Sequence, residues 1–298
     1  MKPLVSILLP TFNQRDYVAA TIESCLSQTW PAIEILIGDD ASKDGTWEII
    51  AGYAKAEGDR VKAVRNPANV GVSRNCNRLL ARVTGKYVAL FAGDDLMYPE
   101  KLTRQIEYLE AHPDVAICAH DMHIIGNDNV TPLSKWSDSA PTYSGGVELF
   151  FEHLCFACGC SLVVRRDCIP DGGYLEFLVA SDWLFFVEVM LRNNGRIHTI
   201  NEVLGAYRRH PGQLTVKGPE SLANTLDHAF ACGYMQKKYP ARSEEIGACL
   251  NRWKRSMVQE LRNQAVWGQE ISQAQLASPR WLFRAALKAA YRRIWGRS

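Results

Sequence analysis

The fold is indicated by one stretch of nine residues, Tyr87–Asp95, which reads YVALFAGDD. Its apolar first part has the composition of a buried β-strand, and Gly93 ends the run just before two adjacent aspartates. Two neighbouring carboxylates repel each other, and burying either one without a partner is costly. Because oxygen ligands suit hard cations, a carboxylate pair at a strand end predicts a site for a divalent metal and the phosphates it carries.

The composition is that of a globular chain of 298 residues, 47% of them hydrophobic, which is enough for one large domain and an extension. The net charge of +2 is too small to indicate nucleic-acid binding, and nine scattered cysteines favour free thiols in a reducing compartment. The first apolar run ends at Pro10 and is too short for a signal peptide, and no stretch reaches the ~20 apolar residues of a membrane span. We therefore expect a cytoplasmic protein.

Strand-like and helix-like segments alternate regularly up to about residue 120. This βαβα order predicts an α/β fold with a mostly parallel central sheet flanked by helices. Gly126–Gly146 is rich in Asn, Asp, Ser, Thr and Pro, which predicts a long loop, and two short strands are expected at Arg196–Ile200 and Val203–Tyr207. We predict one domain over residues 1–218 and a helical C-terminal extension over residues 219–298.

Four polar clusters follow the predicted strands, at the edge where open α/β sheets bind ligands. They are residues 10–13 (PTFN), 38–46 (GDDASKDGT), 69–75 (NVGVSRN) and 94–95 (DD). No Gly-x-Gly-x-x-Gly segment follows the first strand and no Walker loop occurs in the chain, so a nucleotide would not be held as in a Rossmann or P-loop protein. The same absence argues against an NAD-dependent oxidoreductase.

In this order the clusters resemble those of family 2 inverting glycosyltransferases, which have the GT-A fold of nucleotide-diphospho-sugar transferases. The matching segments are Pro10–Asn13, Ser24–Thr29, Asp39–Thr46, Asn69–Asn75 and Asp94–Asp95, and the similarity covers roughly residues 3–212. The resemblance implies metal-dependent transfer of a sugar from a nucleotide-sugar, which we expect to be a UDP-sugar, to a glycan or lipid-linked acceptor. It also implies a place in cell-surface polysaccharide or lipopolysaccharide synthesis.

The resemblance implies a set of residues that bind the nucleotide-sugar. They are Pro10, Thr11, Phe12, Asn13, Asp40, Arg74, Asp94 and Arg208. Asp40 would accept a hydrogen bond from a uracil N–H, and Phe12, where the family commonly has tyrosine, would pack on the base. Asp94 would lie by the ribose. Arg74 comes earlier in its motif than the family pattern expects.

The resemblance also implies a metal site and a general base. Asp95 would bind Mn²⁺ or Mg²⁺ between the donor phosphates, and His210 would contact the diphosphate or complete the metal shell. Such an ion stabilises the charge that develops on the leaving diphosphate. The acceptor hydroxyl needs a base on the opposite face of the sugar, and the resemblance assigns this catalytic role to Asp182, in the segment VASDWLFF of residues 179–186.

Each assignment competes with a purely structural one. The aspartates could cap helices or lie in a solvated turn, and the arginine and histidine could be exposed; the residues concerned are Asp40, Asp94, Asp95, Asp182, Arg74 and His210. The chain as a whole could also be a non-catalytic nucleotide-sugar-binding or scaffold subunit. Such a subunit would keep the clusters around Asp40 and Asp95 but would tolerate the loss of Asp182.

Two further features stand outside these clusters. The motif Cys-x-x-Cys-x-Cys at residues 155–160 has no matching second pair for structural zinc, so its thiols could simply be buried, and the resemblance places them near the acceptor pocket. The segment Pro279–Ser298 carries six basic residues and no acidic one, which predicts a basic amphipathic helix. That helix would bind the inner face of the plasma membrane or pack on protein.

Overall fold

A computed structural model gives the structure of residues 2–127, 131–140, 142–153, 156–178, 181–192, 194–210, 213 and 222–263. The chain divides into two compact units, residues 1–210 and residues 211–298. The sequence places the boundary slightly later, between residues 218 and 219, and that domain boundary stays a prediction.

The first unit begins with four parallel strands. These are β1 (Val5–Thr11), β2 (Ile33–Asp39), β3 (Val61–Arg65) and β4 (Tyr87–Leu90), connected in chain order through α1 (Arg15–Leu26), α2 (Thr46–Glu57) and α3 (Val72–Leu80). In the sheet they lie in the order β3-β2-β1-β4. Every residue of β2 is buried, including Glu34 and Asp39, because a central parallel strand is covered on both faces.

The second part of the sheet mixes strand directions. Its strands are β5 (Leu96–Met97), β6 (Val115–Ile125), β7 (Pro132–Lys135), β8 (Val163–Arg165) and β9 (Arg196–Arg208), and its helices are α4 (Lys101–Ala111), α5 (Glu148–His153) and α6 (Asp182–Arg192). Strand β6 is parallel to β9, whereas β8 is antiparallel to both β4 and β6 and therefore joins the two parts. The full order is β3-β2-β1-β4-β8-β6-β9-β5, with β7 paired to β6.

The structure differs from the predicted elements in two places. The loop predicted over residues 126–146 contains β7, whose four residues are all exposed and therefore show no alternation of apolar and polar side chains. The two strands predicted at residues 196–200 and 203–207 form the single strand β9, which follows β6 through several shifts of register. Both predictions were wrong because pairing with β6, rather than local composition, sets these elements.

Two buried side chains in the first unit differ in whether their surroundings favour the charged form: those of Glu34 do, and those of Lys101 do not. Burial opposes the ionisation of Glu34 on β2, but hydrogen bonds from Ser6, Thr84 and Lys62 outweigh it and lower its pKa to about 2. Lys101 is fully buried at the start of α4, where its Nζ donates to Gln105 Oε1 at 2.8 Å. Burial lowers the pKa of this lysine to about 8.

The second unit contains a pair of helices, α7 (Leu222–Lys238) and α8 (Ser243–Asn263), which pack on each other. The ring of His228 stacks on Trp253 with centroids 4.0 Å apart, and the thiols of Cys232 and Cys249 lie 3.7 Å apart. The predicted basic helix of residues 279–298 lies outside the described residues. Within the described ranges, no helix is long and apolar enough to cross a membrane.

Candidate active site

The predicted polar clusters meet at the carboxyl ends of the parallel strands. Thr11, the last residue of β1, is paired with Asp39 at the end of β2, and its hydroxyl donates to the carbonyl of Gly38 at 3.2 Å. Pro10 precedes it in the same strand and is partly buried. Asp94 and Asp95 follow the neighbouring strand β4. The edge that sequence reasoning assigned to ligand binding therefore exists in the structure.

The loop after β1 is fixed by Asn13 and presents Phe12 to solvent. Asn13 has a φ of 51°, its N–H donates to Ser42 Oγ at 2.9 Å, and its Oδ1 accepts from the N–H of Lys43 at 3.0 Å. These bonds tie the loops after β1 and β2 together. The ring of Phe12 is 47% exposed beside them. An exposed ring of this kind offers a flat apolar surface to a nucleotide base.

Asp40 is buried and already accepts three hydrogen bonds from the protein. Its Oδ1 accepts from Asn66 Nδ2 and from the N–H of Val70, and its Oδ2 accepts from the N–H of Gly71, all at 2.9 Å. The carboxylate therefore holds the loop that leads from β3 into α3. Because a carboxylate has about four acceptor positions, one remains for the uracil N–H, and that contact stays a prediction.

The pair Asp94–Asp95 is buried and is held by the end of β9. The N–H of Arg208 donates to Asp95 Oδ1 at 2.9 Å, and its Nε donates to the carbonyl of Asp94 at 2.7 Å. His210 Nε2 lies 2.9 Å from Asp94 Oδ2. Burial, followed by the charge of Asp94, raises the pKa of Asp95 well above its ordinary value, although hydrogen bonds from Arg208 and Cys160 act in the other direction.

The side chain of Arg208 stabilises the candidate site through contacts with several elements of the fold. Its buried guanidinium donates from Nη1 to the carbonyl of Gly126 at 2.9 Å and lies 4.9 Å from the ring centre of Tyr17 on α1. The Tyr17 ring is in turn 4.6 Å from the ring of His210. A direct contact of Arg208 with the donor stays a prediction, while its observed contacts hold the backbone around Asp94.

The acidic pair fits a hard divalent cation in charge and in donor type. In the described part of the chain, however, no group of three or more His, Cys, Asp or Glu side chains is arranged to hold a metal. An ion at Asp95 would thus need ligands from the donor diphosphate, as is usual for Mg²⁺ in phosphate sites. His210 contacts Asp94, and its role as a second metal ligand stays a prediction.

Asp182 is the first residue of α6 and is exposed. The preceding Ser181 is buried, and its hydroxyl lies 2.7 Å from that of Ser73 on α3, which also donates to the carbonyl of Leu178 at 2.8 Å. Asp182 Oδ1 accepts from the N–H of Trp183 at 2.8 Å. The start of α6 is therefore anchored on α3, while the side chain of Asp182 is exposed, and its role as the base stays a prediction.

Arg74 does not join the buried carboxylates in this structure. It is exposed on α3, and its Nε lies 2.8 Å from Glu176 Oε2. Asn77 of α3 makes a second contact with the same segment, since its Nδ2 donates to the carbonyl of Tyr174 at 2.9 Å. The segment before α6 is thereby held against α3, and a contact of Arg74 with the nucleotide stays a prediction.

Sequence reasoning missed two residues next to the acidic pair. Tyr17 lies against Arg208 and His210, and the buried side chain of Cys160 lies near Asp95. The signal for Cys160 was present in its cysteine motif, but the motif was interpreted as zinc ligands, as core thiols or as part of the acceptor pocket, and not as a neighbour of the acidic pair. Cys155 of that motif lies outside the described residues.

Residues 6–172 match the protein family described as Glycosyl transferase family 2. The chain is 39% identical over 214 residues to WfaP of Escherichia coli, named as a UDP-Glc:alpha-D-GlcNAc-diphosphoundecaprenol beta-1,3-glucosyltransferase. This match covers 71% of the chain and 80% of WfaP. The chain therefore belongs to glycosyltransferase family 2. It spans 59% of the length of mycobacterial relatives to which it is 30% identical.

Solved structures confirm the GT-A fold. Staphylococcus aureus TarS (residues 1–349) in complex with UDP-GlcNAc has a TM-score of 0.65 at 18% identity, covering 98% of this chain and 82% of that one. The mannosyltransferase PcManGT of Pyrobaculum calidifontis, in complex with GDP-Man and Mn²⁺, has a TM-score of 0.62 at 16% identity, covering 100% and 89%. At these identities the likeness establishes the fold alone.

Proposed function

We propose that the protein is a metal-dependent inverting glycosyltransferase that moves a sugar from a UDP-sugar to a glycan or lipid-linked acceptor. The buried pair Asp94–Asp95 at the ligand-binding edge of the sheet is the observation that carries this proposal. The identity to WfaP, whose name states a UDP-sugar donor and a lipid diphosphate acceptor, supports the substrate classes. The reaction would serve the assembly of a cell-surface polysaccharide or lipopolysaccharide.

The donor would bind along the carboxyl ends of β1, β2 and β4. Phe12 would pack on the uracil ring, since its own ring is exposed at this edge. Asp40 would accept the uracil N–H at its remaining acceptor position, and Asp94 would lie by the ribose. The loops that carry these groups are already fixed by hydrogen bonds, so little ordering is needed when the donor binds.

Asp95 is the residue that would hold Mn²⁺ or Mg²⁺, with the diphosphate supplying further oxygen ligands. When bound, such an ion stabilises the negative charge that develops on the departing diphosphate. Arg208 and the buried surroundings hold the Asp95 carboxylate in place before the ion arrives. His210 contributes by fixing Asp94 from the end of β9.

Asp182 would remove the proton from the acceptor hydroxyl. In an inverting displacement the nucleophile and the leaving group lie on opposite faces of the sugar. Asp182 begins a separate helix and is exposed, so its carboxylate would be open to an acceptor. The anchoring of Ser181 on Ser73 fixes the position from which it would act.

A donor screen tests the proposal most directly. Product release would be measured with UDP-, GDP- and dTDP-sugars, each with and without Mn²⁺, and we expect turnover with a UDP-sugar only when metal is present. Asp182→Asn should abolish transfer but leave UDP and Mn²⁺ binding intact. Asp114→Asn, at an aspartate whose side chain is 66% exposed, is the matched control. Wild-type turnover by Asp182→Asn would refute the role of this base.

We also propose that the protein works at the inner face of the plasma membrane, where a lipid-linked acceptor would be presented. The support is the basic and apolar sequence of residues 279–298. Deleting these residues should reduce binding to anionic liposomes while activity on a soluble acceptor survives. Unchanged liposome binding would contradict the proposal.

A further inference from the structure

A groove of about 420 Å³ lies between the second half of α3 and the segment of residues 166–176 that precedes α6. Its volume falls in the range of about 300–1,000 Å³ that is usual for small-ligand sites. Asn77 of α3 holds the two sides together, because its Oδ1 accepts from the N–H of Tyr174 at 2.8 Å and its Nδ2 donates to the carbonyl of Tyr174 at 2.9 Å. The groove is therefore bounded by backbone that hydrogen bonds hold in place.

The groove begins about one helical turn from the residue that anchors the proposed base. The Ser73 hydroxyl lies 2.7 Å from that of Ser181, which directly precedes Asp182, and donates to the carbonyl of Leu178 at 2.8 Å. Asn77, which lines the groove, is four residues further along α3, or about 6 Å along the helix axis. An acceptor with its reacting hydroxyl at Asp182 would thus have its next sugars within reach of the groove.

An exposed aromatic ring lies on the same segment. Phe177 is 66% exposed and directly follows Glu176, which lines the groove. The backbone on both sides is held to α3, since Arg74 Nε lies 2.8 Å from Glu176 Oε2 and the carbonyl of Leu178 accepts from Ser73. A fixed aromatic ring offers a flat apolar face, and the C–H face of a sugar ring is flat and apolar too.

The charged groups around the groove are largely compensated. Asp171 Oδ1 lies 2.9 Å from Arg192 Nη1, and Glu176 is paired with Arg74. Arg166 donates from Nη1 to the carbonyl of Thr84 at 2.7 Å, and in the described part of the chain it forms no ion pair. Its other N–H groups can therefore donate to a ligand. This balance favours a neutral ligand with hydrogen-bonding groups over an anionic one.

We propose that this groove, together with Phe177, binds the part of the acceptor beyond the reacting sugar, and that this part is a neutral oligosaccharide. The inference rests on the proposed function, in which Asp182 is the base. The apolar lining from Leu80, Ile169 and Pro170 would meet the C–H faces of the sugars, and the polar rim would meet their hydroxyls. A lipid chain would need a continuous apolar lining, and a diphosphate would meet two carboxylates.

A glycine in the groove allows it to be filled without disturbing the fold. Gly172 lines the groove and is exposed, a Cβ there would meet nothing within 4 Å, and its φ is not positive. Gly172→Trp would therefore occupy the groove. Gly52, exposed on α2, has the same properties away from the groove, so Gly52→Trp is the matched control. Both variants should keep the wild-type Tm and the wild-type Kd for UDP.

The probe is an array of neutral bacterial oligosaccharides of increasing length, each printed beside its single sugars. We expect the wild-type protein to bind at least one oligosaccharide more tightly than its single sugars. Gly172→Trp should weaken that binding about 10-fold or more by steric exclusion, while Gly52→Trp leaves it unchanged. Phe177→Ala should weaken it about 3- to 10-fold, and Phe177→Trp, which keeps an aromatic ring, should stay close to wild type.

A kinetic measurement connects the groove to the transfer reaction. With the bound oligosaccharide as acceptor, Gly172→Trp should raise the acceptor KM by the same factor while kcat and the KM for the UDP-sugar stay near wild type. If Gly172→Trp does not fold, Ala81→Trp takes its place, since Ala81 is exposed and also lines the groove.

Three outcomes overturn the inference while leaving the proposed function intact. These are turnover by a wild-type protein that binds no oligosaccharide, oligosaccharide binding that is equal in Gly172→Trp and wild type, and an unchanged acceptor KM in Gly172→Trp. Absence of any UDP-sugar turnover by the wild-type protein would instead overturn the proposed function and the role of the groove with it.

Discussion

The same tripeptide, Gly-Asp-Asp, occurs at the carboxyl end of β2 and shortly after the carboxyl end of β4, and its two copies have different surroundings. In Gly38–Asp40 the first carboxylate is paired with Arg65, whose Nε lies 3.2 Å from Asp39 Oδ2, and the second accepts three protein donors. In Gly93–Asp95 the two carboxylates are buried beside each other, and burial and mutual repulsion raise the pKa of Asp95.

The glycines show the same packing requirement in both copies. A Cβ at Gly38 would lie 2.5 Å from Asn75 Oδ1, and one at Gly93 would lie 2.7 Å from Thr11 Cγ2 and would overlap Gln14 Oε1. Glycine is thus needed where a helix or loop approaches the strand end closely. The motif therefore sets the backbone, whereas the neighbouring elements decide whether a carboxylate is compensated by three protein donors, as Asp40 is, or is buried beside a like charge, as Asp95 is, which favours a cation.

The largest effect is expected from a substitution in the second copy of the tripeptide, Gly93–Asp95. Asp95→Asn removes the carboxylate that would hold the metal, and we expect turnover to fall about 10²- to 10³-fold, the range seen when one preorganised electrostatic contact is lost. The free energy of unfolding should stay the same or rise, because a buried charge next to Asp94 is removed. Steady-state kinetics and urea unfolding check both expectations. Lower stability would mean that Asp95 is compensated after all.

Asp40→Asn changes the first copy of the tripeptide, Gly38–Asp40, and should have the opposite effect on the free energy of unfolding. The amide group of asparagine would face at least one of the three N–H donors now directed at Asp40, and a buried donor would lose its acceptor. We expect the free energy of unfolding to fall by about 3 kcal/mol. Urea unfolding beside Asp59→Asn, a surface control, measures this loss. A stability equal to that of wild type would show that the loop of residues 66–71 does not depend on Asp40.

Glu34 is another buried carboxylate whose charge is stabilised by hydrogen bonds, and it is not part of the candidate active site. Its pKa in the folded state, about 2, lies below the ordinary value of 4.5. The contribution of ionised Glu34 to the stability of the folded state is therefore complete above pH 4.5 and is lost as the pH falls toward 2. We expect about 2 kcal/mol from this residue, allowing for the half-exposed Lys62. Glu34→Gln should flatten that part of the pH dependence of unfolding, and an unchanged profile would assign the acid sensitivity elsewhere.

The smallest expected effect concerns Arg74, the predicted donor contact that pairs with Glu176. Both side chains are at least 40% exposed, so breaking the pair should change stability by only about 0.5 kcal/mol. If Arg74 also meets the nucleotide, Arg74→Ala should raise the KM for the donor a few-fold while Glu176→Ala leaves it unchanged. Equal KM values in the two variants would place Arg74 with the structural contacts.

The parallel half of the fold was predictable because its signals are local. An uninterrupted apolar strand such as Tyr87–Leu90, followed by a polar loop and a helical repeat, can be read without knowledge of distant residues. The two-residue strand β5 and the fully exposed β7 exist only through pairing with β9 and β6. Such elements have no pattern of their own.

The candidate site divides in the same way. Its carboxylates were found because motifs place them at strand ends, and their positions at the sheet edge agree with that reasoning. The backbone donor that holds Asp95 was not found, since the N–H of Arg208 reaches this carboxylate only in the folded chain. A backbone N–H also leaves no trace in residue identity, so sequence alone could not assign that contact.

The buried amine of Lys101 has a consequence for how the protein can be observed. With a pKa of about 8, a substantial fraction of this lysine is neutral in mildly alkaline solution, and a neutral amine is a nucleophile. Because the side chain is fully enclosed, an acylating reagent can reach it only when α4 opens locally. The rate at which Lys101 is labelled would therefore report how often α4, the helix that follows the acidic pair, opens locally.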